Sequence, residues 1–210
     1  PGASDLVLFV DQKDIDQAYS FDNRGSRFVG PFEGTASVKF NSLLGLYEQT
    51  TFRSIIATQS EELRFFQVSH QETLGSEGTK VQMSYNVTNS RPGFTFVQPA
   101  TNVESTSEEL TFTVKHPMIR SRSQNMTVNL DFTWRKSITD LAFTPLFQDR
   151  LRILRLGLSY DWVDDFRGIN LVKVEASQGF DILNATESGS ADGIDADISR
   201  ENGKSDFFKL

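Results

Sequence analysis

Two histidines are the first residues in this chain that could do chemistry. His70 and His116 each lie where a predicted strand approaches a short turn. A Ser-His-Asp triad would require one of them beside an activated serine, and the sequence contains no Gly-x-Ser-x-Gly elbow. We therefore interpret both histidines as interfacial residues rather than as catalytic bases.

Clustered carboxylates offer the next possible chemistry. The acidic stretch 192–197 resembles a calcium loop in composition, but it lacks the spacing and the closing glutamate of an EF-hand. Asp164 and Asp165 precede Gly168, a composition typical of a turn rather than of general acid–base catalysis. With no cysteine in the chain, thiolate metal sites are excluded. The sequence therefore indicates no enzyme, no metal and no cofactor.

Net charge narrows the possible partners. The chain has 210 residues, a formal net charge of −7 and a pI near 4.9. An acidic protein has little with which to neutralise phosphates, so we expect no nucleic-acid partner. No apolar run is long enough for a transmembrane helix. A membrane-spanning strand would escape such a hydropathy search, because only alternate residues of the strand face lipid.

Alternation with a period of two residues is the dominant pattern, and it predicts strands. Between Met126 and Arg135 every second residue is apolar or aromatic, and the residues between them are polar or charged. The same pattern predicts further strands over 15–22, 32–40, 51–57, 63–70, 80–87, 109–115, 154–162 and 170–178. A tenth strand is predicted to start near Asp206. Leu151 and Ile153 are out of phase with the strand that follows them, for which we expect either a bulge or a stretch of strand beyond the membrane.

The predicted connections fall into two sets. Short turns are expected near 41–45, 72–78, 117–123 and 163–168, and longer polar loops over 88–107, 136–149 and 181–205. Alternating short and long connections are typical of an outer-membrane barrel. We therefore predict an all-β fold, a transmembrane antiparallel β-barrel. A soluble β-sandwich that binds carbohydrate, with Phe94, Phe96 and Phe143 stacking on sugars, remains an alternative.

One segment of the chain resembles a known family. The motif begins at Asp22, Asn23, Arg24 and Gly25 and ends at Gly30 and Pro31. It resembles the hairpin that opens the barrel in two-partner secretion transporters. These transporters are the hemolysin secretion/activation proteins, which belong to the BamA-like superfamily. Gly75–Thr79, His116–Arg122, Gln178–Gly179 and the final Ser205–Leu210 resemble later parts of the same family in the same order. The likeness thus spans nearly the whole chain.

The resemblance implies POTRA domains followed by a barrel of roughly sixteen strands. Residues 1–12 would be the end of the last POTRA domain or a linker, and 13–210 the N-terminal part of the barrel, with about nine to ten strands. The Arg-Gly loop motif of the superfamily has no counterpart in the sequence.

The resemblance also implies a function in the bacterial outer membrane. The protein would pass a secreted exoprotein of the hemolysin or adhesin type across that membrane, with the exoprotein and outer-membrane lipid as its partners. The polar residues expected to line the lumen are Glu33, Lys39, Lys80, Gln82, Asp131, Arg135, Lys173 and Glu175. A BamA-like factor that assembles outer-membrane proteins is the alternative function.

Overall fold

The computed structural model describes residues 13–26, 29–59, 61–93, 103–186 and 208–209. Ten strands form one antiparallel sheet in which each strand pairs with its neighbours in sequence, from β1 to β10. The strands are β1 (Ile15–Asp22), β2 (Glu33–Asn41), β3 (Gln49–Ala57), β4 (Leu63–Leu74), β5 (Thr79–Ser90), β6 (Val103–Arg120), β7 (Gln124–Leu141), β8 (Thr144–Val163), β9 (Ile169–Gly179) and β10 (Phe208–Lys209). All nine predicted strands and the tenth are confirmed.

The register of the sheet separates two faces. Because partners on adjacent strands project to the same side, the pairings carry one face across all ten strands. The apolar face is defined by residues such as Val38, Phe52, Val68, Met83, Phe112, Leu130, Leu156 and Val174. The polar face is defined by the residues that alternate with these, such as Lys39, Thr51, Ser69, Gln82, Thr113, Asp131, Arg155 and Lys173.

Large apolar side chains lie on the outside of this molecule. Met83, Leu156 and Val174 are 54%, 54% and 50% exposed, whereas Ala57 and Ile153 are the buried hydrophobic residues in the part of the chain that the structure describes. A soluble sandwich would bury one face of each sheet against the other. The described strands instead form a single sheet, so the prediction of a soluble sandwich is wrong.

The connections define two ends of the sheet. The turn end carries the connections 42–48, 75–78, 121–123 and 164–168, and the loop end carries 23–32, 58–62, 91–102, 142–143 and 180–207. The prediction of a long loop over 136–149 is wrong, because β7 and β8 continue through it to a two-residue connection, Ala142 and Phe143. Threonine and serine within 136–149 suit a strand as well as a loop, so composition misled the prediction.

Two further local predictions fail. β6 runs through Pro117 to Arg120, although 117–123 was expected to be a turn, and the pairing with β7 shifts between Pro117 and Ile119. A shift is the expected accommodation, because proline offers no N–H to the ladder. Of the two explanations offered for Leu151 and Ile153, the bulge is wrong, because β8 pairs with β7 in continuous register there and the shift lies at Thr139/Asp140.

No helix in the described part of the chain has the length and apolar character to cross a membrane.

Candidate functional site

All eight polar residues singled out from the sequence lie on one side of the sheet. The pairings place Glu33, Lys39, Lys80, Gln82, Asp131, Arg135, Lys173 and Glu175 together on the polar face. They come from four strands, β2, β5, β7 and β9, and the strands β3, β4, β6 and β8 lie between these four. The sheet thus presents a continuous surface of mixed charge.

Ion pairs link several charges across neighbouring strands of the polar face. Lys39 Nζ lies 3.2 Å from Asp16 Oδ2, and Arg155 Nε lies 4.0 Å from Glu175 Oε1. Arg135 Nε lies 4.0 Å from Glu109 Oε2. These side chains remain between 30% and 57% exposed, so each pair contributes little to stability and leaves the surface wet.

Asp131 lies at the centre of a hydrogen-bonded group on this face. Thr113 Oγ1 donates to one carboxylate oxygen, and Asn129 Nδ2 donates to the other over 2.7 Å. Arg155 lies directly opposite Asp131 on β8 and donates to Thr133 Oγ1 over 3.0 Å. Neutral donors therefore hold this carboxylate in the surface without a close ion pair.

Aromatic residues border the apolar face at both ends. Trp134 lies toward the loop end of β7, and Tyr160 and Trp162 stack at 5.1 Å near the turn end of β8. From Gln124, which pairs with Trp162, to Trp134 a strand extends roughly 33 Å. A tilt of about 40° reduces this to roughly 25 Å, the height of the apolar band of an outer-membrane barrel.

The hairpin motif forms the connection between β1 and β2. Asp22 Oδ1 accepts a hydrogen bond from Arg24 N over 3.0 Å. A Cβ on Gly25 would collide with the carbonyl oxygen of Gly30, and Gly30 has a φ of 95° with its Cα against Ala57. Glycine is required at both positions by close backbone approach and, at Gly30, by positive φ. The motif therefore packs this connection against the end of β3.

A buried carboxylate, that of Glu48, organises the turn 42–48 at the turn end. Glu48 is 1% exposed and accepts hydrogen bonds from Leu44 N over 2.6 Å and Leu46 N over 3.0 Å. The Leu44 N–H is the chief cause that lowers the pKa of Glu48 below its ordinary value.

Asp164 fixes the turn 164–168 in a similar way. It accepts from Asn170 Nδ2 over 3.1 Å and from Gly168 N over 2.7 Å, and these bonds, that of Asn170 first, lower its pKa. The interpretation of Asp164 as a turn residue agrees with these contacts.

The histidines make structural contacts. His70 Nδ1 is hydrogen-bonded to Thr50 Oγ1 at 2.9 Å, and His116 Nδ1 to Thr79 Oγ1 at 2.8 Å. Both lie within strands on the apolar face, not at the strand–turn junctions where the sequence placed them. Within the described ranges, no group of three or more His, Asp or Glu side chains could hold a metal ion. The acidic stretch 192–197, Phe94 and Phe96 lie outside the described residues.

Two cations of the polar face were not among the lumen residues predicted from the sequence. Lys115 pairs directly with Lys80 across β5 and β6, and Arg120 lies on the same face near the end of β6. Both lysines stand on the polar side of their alternating strands, so the phase of the pattern could have placed them on one face. Only the register could show that they are opposite each other.

Comparisons with known proteins agree with this architecture. No curated protein sequence matches significantly. Among solved structures, CdiB from Escherichia coli superimposes with a TM-score of 0.77 at 14% identity, covering 86% of this chain and 34% of that one. CdiB from Acinetobacter baumannii gives a TM-score of 0.61 at 12% identity, covering 80% and 32%. The chain thus spans about a third of the length of these two proteins.

The similarity to the two CdiB structures supports the all-β barrel architecture but covers only part of a larger barrel. The fold alone does not identify the family of the chain. The model of the family haemolysin secretion/activation protein ShlB/FhaC/HecB matches residues 2–209. The chain belongs to this family of two-partner secretion transporters of the bacterial outer membrane.

Proposed function

We propose that this sheet is part of the barrel wall of a transporter that passes a secreted exoprotein of the haemolysin or adhesin type across the outer membrane. The observation that carries the proposal is the separation of the two faces. Exposed residues such as Met83 and Leu156 would contact lipid, and the eight polar residues predicted from the sequence share the opposite face. Only a wet interior explains why that face is polar when the other meets lipid.

The orientation in the membrane follows from the connections. Outer-membrane barrels have short turns on the periplasmic side and longer loops outside. The turn end, whose connections are 42–48, 75–78, 121–123 and 164–168, would therefore face the periplasm. The exported chain would meet the polar face first at the turn end. Residues 13–210 would be the N-terminal part of the barrel, with 1–12 joining it to a POTRA domain.

A mixed-charge surface suits a moving polypeptide. Lys39, Arg135 and Arg155 each have a carboxylate partner within the wall, at distances of 3.2 to 4.0 Å. A charge with its own partner has less to gain from binding a passing side chain. The exported chain would therefore slide along most of this face without a strong stopping point.

Deletion of the gene for the full-length protein tests the proposal. We expect the exoprotein to accumulate in the periplasm and to return to the medium on complementation. Unchanged secretion of every candidate exoprotein would refute the transporter function. Loss of several unrelated outer-membrane proteins, with secretion affected only as a consequence, would instead indicate a BamA-like assembly factor.

A further inference from the structure

A cavity of ≈ 410 Å³ opens on the polar face at the turn end. It lies beside the turns 75–78 and 121–123, and its lining includes Lys80, Lys115 and Arg120 together with Thr73, Asn125 and Thr127. Three cationic side chains line the cavity together with neutral hydroxyl and amide groups, and Gly78, Pro117 and Ile119 complete its walls. The cavity therefore has the chemistry of an anion-binding site.

The two lysines are placed where like charges repel most strongly. Lys80 and Lys115 are direct cross-strand partners on β5 and β6. Side chains in such positions have Cβ atoms about 5 Å apart, and like charges there are destabilising. Arg120 adds a third positive charge: its guanidinium lies 3.1 Å from where a Cβ on Gly78 would be.

Nearby carboxylates do not neutralise this group. None of the ion pairs formed within the described ranges includes Lys80, Lys115 or Arg120. On the same face, Asp131 is held by Thr113 and Asn129, and Asp161 accepts from Asn125 Nδ2 over 2.9 Å. Glu77 lies in the adjoining turn without an ion pair to the three cations. Within the described ranges, the three cations thus keep their N–H donors available to a ligand.

A second like-charged pair in the same sheet shows the contrast. Lys136 and Arg150 are also direct cross-strand partners, on the apolar face toward the loop end. There a carboxylate, that of Glu108, lies directly opposite Lys136 on the neighbouring strand. The residues opposite Lys80 and Lys115 on their outer sides are instead the neutral Thr73 and Asn129.

We propose that this cavity, the cationic pocket, binds acidic side chains of the exported polypeptide as it enters the barrel. The inference rests on the proposed function, because the turn end is the periplasmic end only if the sheet is the wall of a transporter. Glutamate and aspartate carboxylates complement three ammonium and guanidinium groups. A peptide fits better than a free anion because the pocket opens along the face that the exported chain would follow.

The test measures binding of a peptide by the full-length protein purified in detergent. The probe is a fluorescein-labelled peptide of alternating Glu and Ser, with a Gln and Ser peptide of the same length as its control. The variant is Lys80→Gln/Lys115→Gln, and a second variant adds Arg120→Gln. The matched control is Lys136→Gln/Arg150→Gln, which removes the same charge from the other cross-strand pair.

We expect the Glu peptide to bind, the Gln peptide not to bind, and affinity to fall as salt rises. The double variant should bind the Glu peptide about tenfold more weakly, with a further loss on adding Arg120→Gln. The Lys136→Gln/Arg150→Gln control should change affinity less than about twofold.

Equal affinity in the wild-type protein and the triple variant would overturn the inference, as would an equal loss in the control. Displacement of the peptide by inorganic phosphate at equal concentration would overturn the assignment to a peptide. Secretion assays in cells that produce the same variants separate the pocket from the proposed function. Intact secretion by a wild-type protein that does not bind the Glu peptide refutes only the pocket. Absent secretion by the wild-type protein refutes the proposed function itself.

Discussion

The two faces of this sheet are built from alternate residues of the same strands, yet they differ in almost every physical property. On β5, Met83 is exposed between His70 and Phe112, whereas Gln82 and Ser84 on either side lie among hydroxyl and amide groups. The apolar face gains nothing from water, and the polar face is rich in ion pairs and hydrogen bonds. The difference between the two faces of each strand, rather than a buried core, therefore specifies which side of the sheet meets an apolar environment and which side meets water.

Two neighbouring residues of β8 depart from this separation of the faces and show where it ends. Arg152 lies on the apolar side but is only 2% exposed, covered where the chain after β9 returns. Ile153 lies on the polar side and is also buried. Both lie toward the loop end, next to Trp134 at the border of the apolar band. The strict separation of faces therefore ends near Trp134, toward the loop end.

The largest expected effect comes from placing one charge on each face in turn. Met83→Arg should lower the free energy of unfolding by about 2–4 kcal/mol, because the guanidinium would lie in the lipid-facing band. Ser84→Arg, one residue along and opposite Ser69 and Thr111, should change it by less than about 0.5 kcal/mol. Urea unfolding of the full-length protein in lipid vesicles measures both. An equal loss of free energy of unfolding in the two variants would contradict the distinction between the faces.

The buried cation at the border of the band should give the next effect. Arg152 donates to the carbonyl oxygens of Leu151 and Leu183 over 2.8 Å each, and its guanidinium lies 4.9 Å from the centre of the Trp134 ring. Arg152→Met keeps the apolar stem but leaves those carbonyls without a donor, which should cost about 1.5–3 kcal/mol.

The same unfolding measurement checks the Arg152→Met prediction. Arg150→Met, two residues along on the same side, is the control. An unchanged stability of Arg152→Met would mean that the segment covering Arg152 is not held by it.

A cation of the polar face should matter less. Arg155 is 32% exposed, and its ion pair with Glu175 spans 4.0 Å. Arg155→Gln should therefore lower the free energy of unfolding by at most about 1 kcal/mol. A double-mutant cycle with Glu175→Gln isolates the pair, and a coupling as large as the Arg152 effect would contradict a wet polar face.

The smallest effect concerns the turns that keep the register. A slip of one residue would exchange the two faces, and Glu48 and Asp164 hold two of the turns. Hydrogen bonds lower both pKa values, so the stabilisation is present above the ordinary carboxyl pKa of about 4 and is lost as pH falls through the lower folded-state value. The protection factors for hydrogen exchange in the turns 42–48 and 164–168, which are corrected for the intrinsic pH dependence of exchange, should therefore fall below that pH.

Glu48→Gln should give faster exchange in the turn 42–48 already at neutral pH, because the charged acceptor is lost. Glu77→Gln, in the turn 75–78, serves as the control and should leave exchange in that turn unchanged. An exchange rate in the turn 42–48 that is the same for Glu48→Gln and the wild-type protein would show that the carboxylate does not hold this turn.

Periodicity predicted most of the fold, and its failures have physical causes. The alternation in Met126–Arg135 identified the core of β7, but the strand continues to Leu141 through residues that do not alternate strictly, so periodicity could not predict its end. Pro117 signalled a turn from composition, whereas β6 accommodates it with a register shift. The phase of each strand placed all eight polar residues on one face. The clustering of Lys80 with Lys115 and Arg120 depends on register, which no single strand reveals.

Cross-linking of an exported chain to neighbouring residues of one strand tests the central claim most directly. A photo-reactive residue is introduced at Gln82 on the polar face or at Met83 on the apolar face, in the full-length protein with an exoprotein stalled during secretion. The account predicts cross-links to the exoprotein from Gln82 and none above background from Met83. Equal cross-linking from Met83, or none from Gln82, would contradict the assignment of the polar face as the transport path.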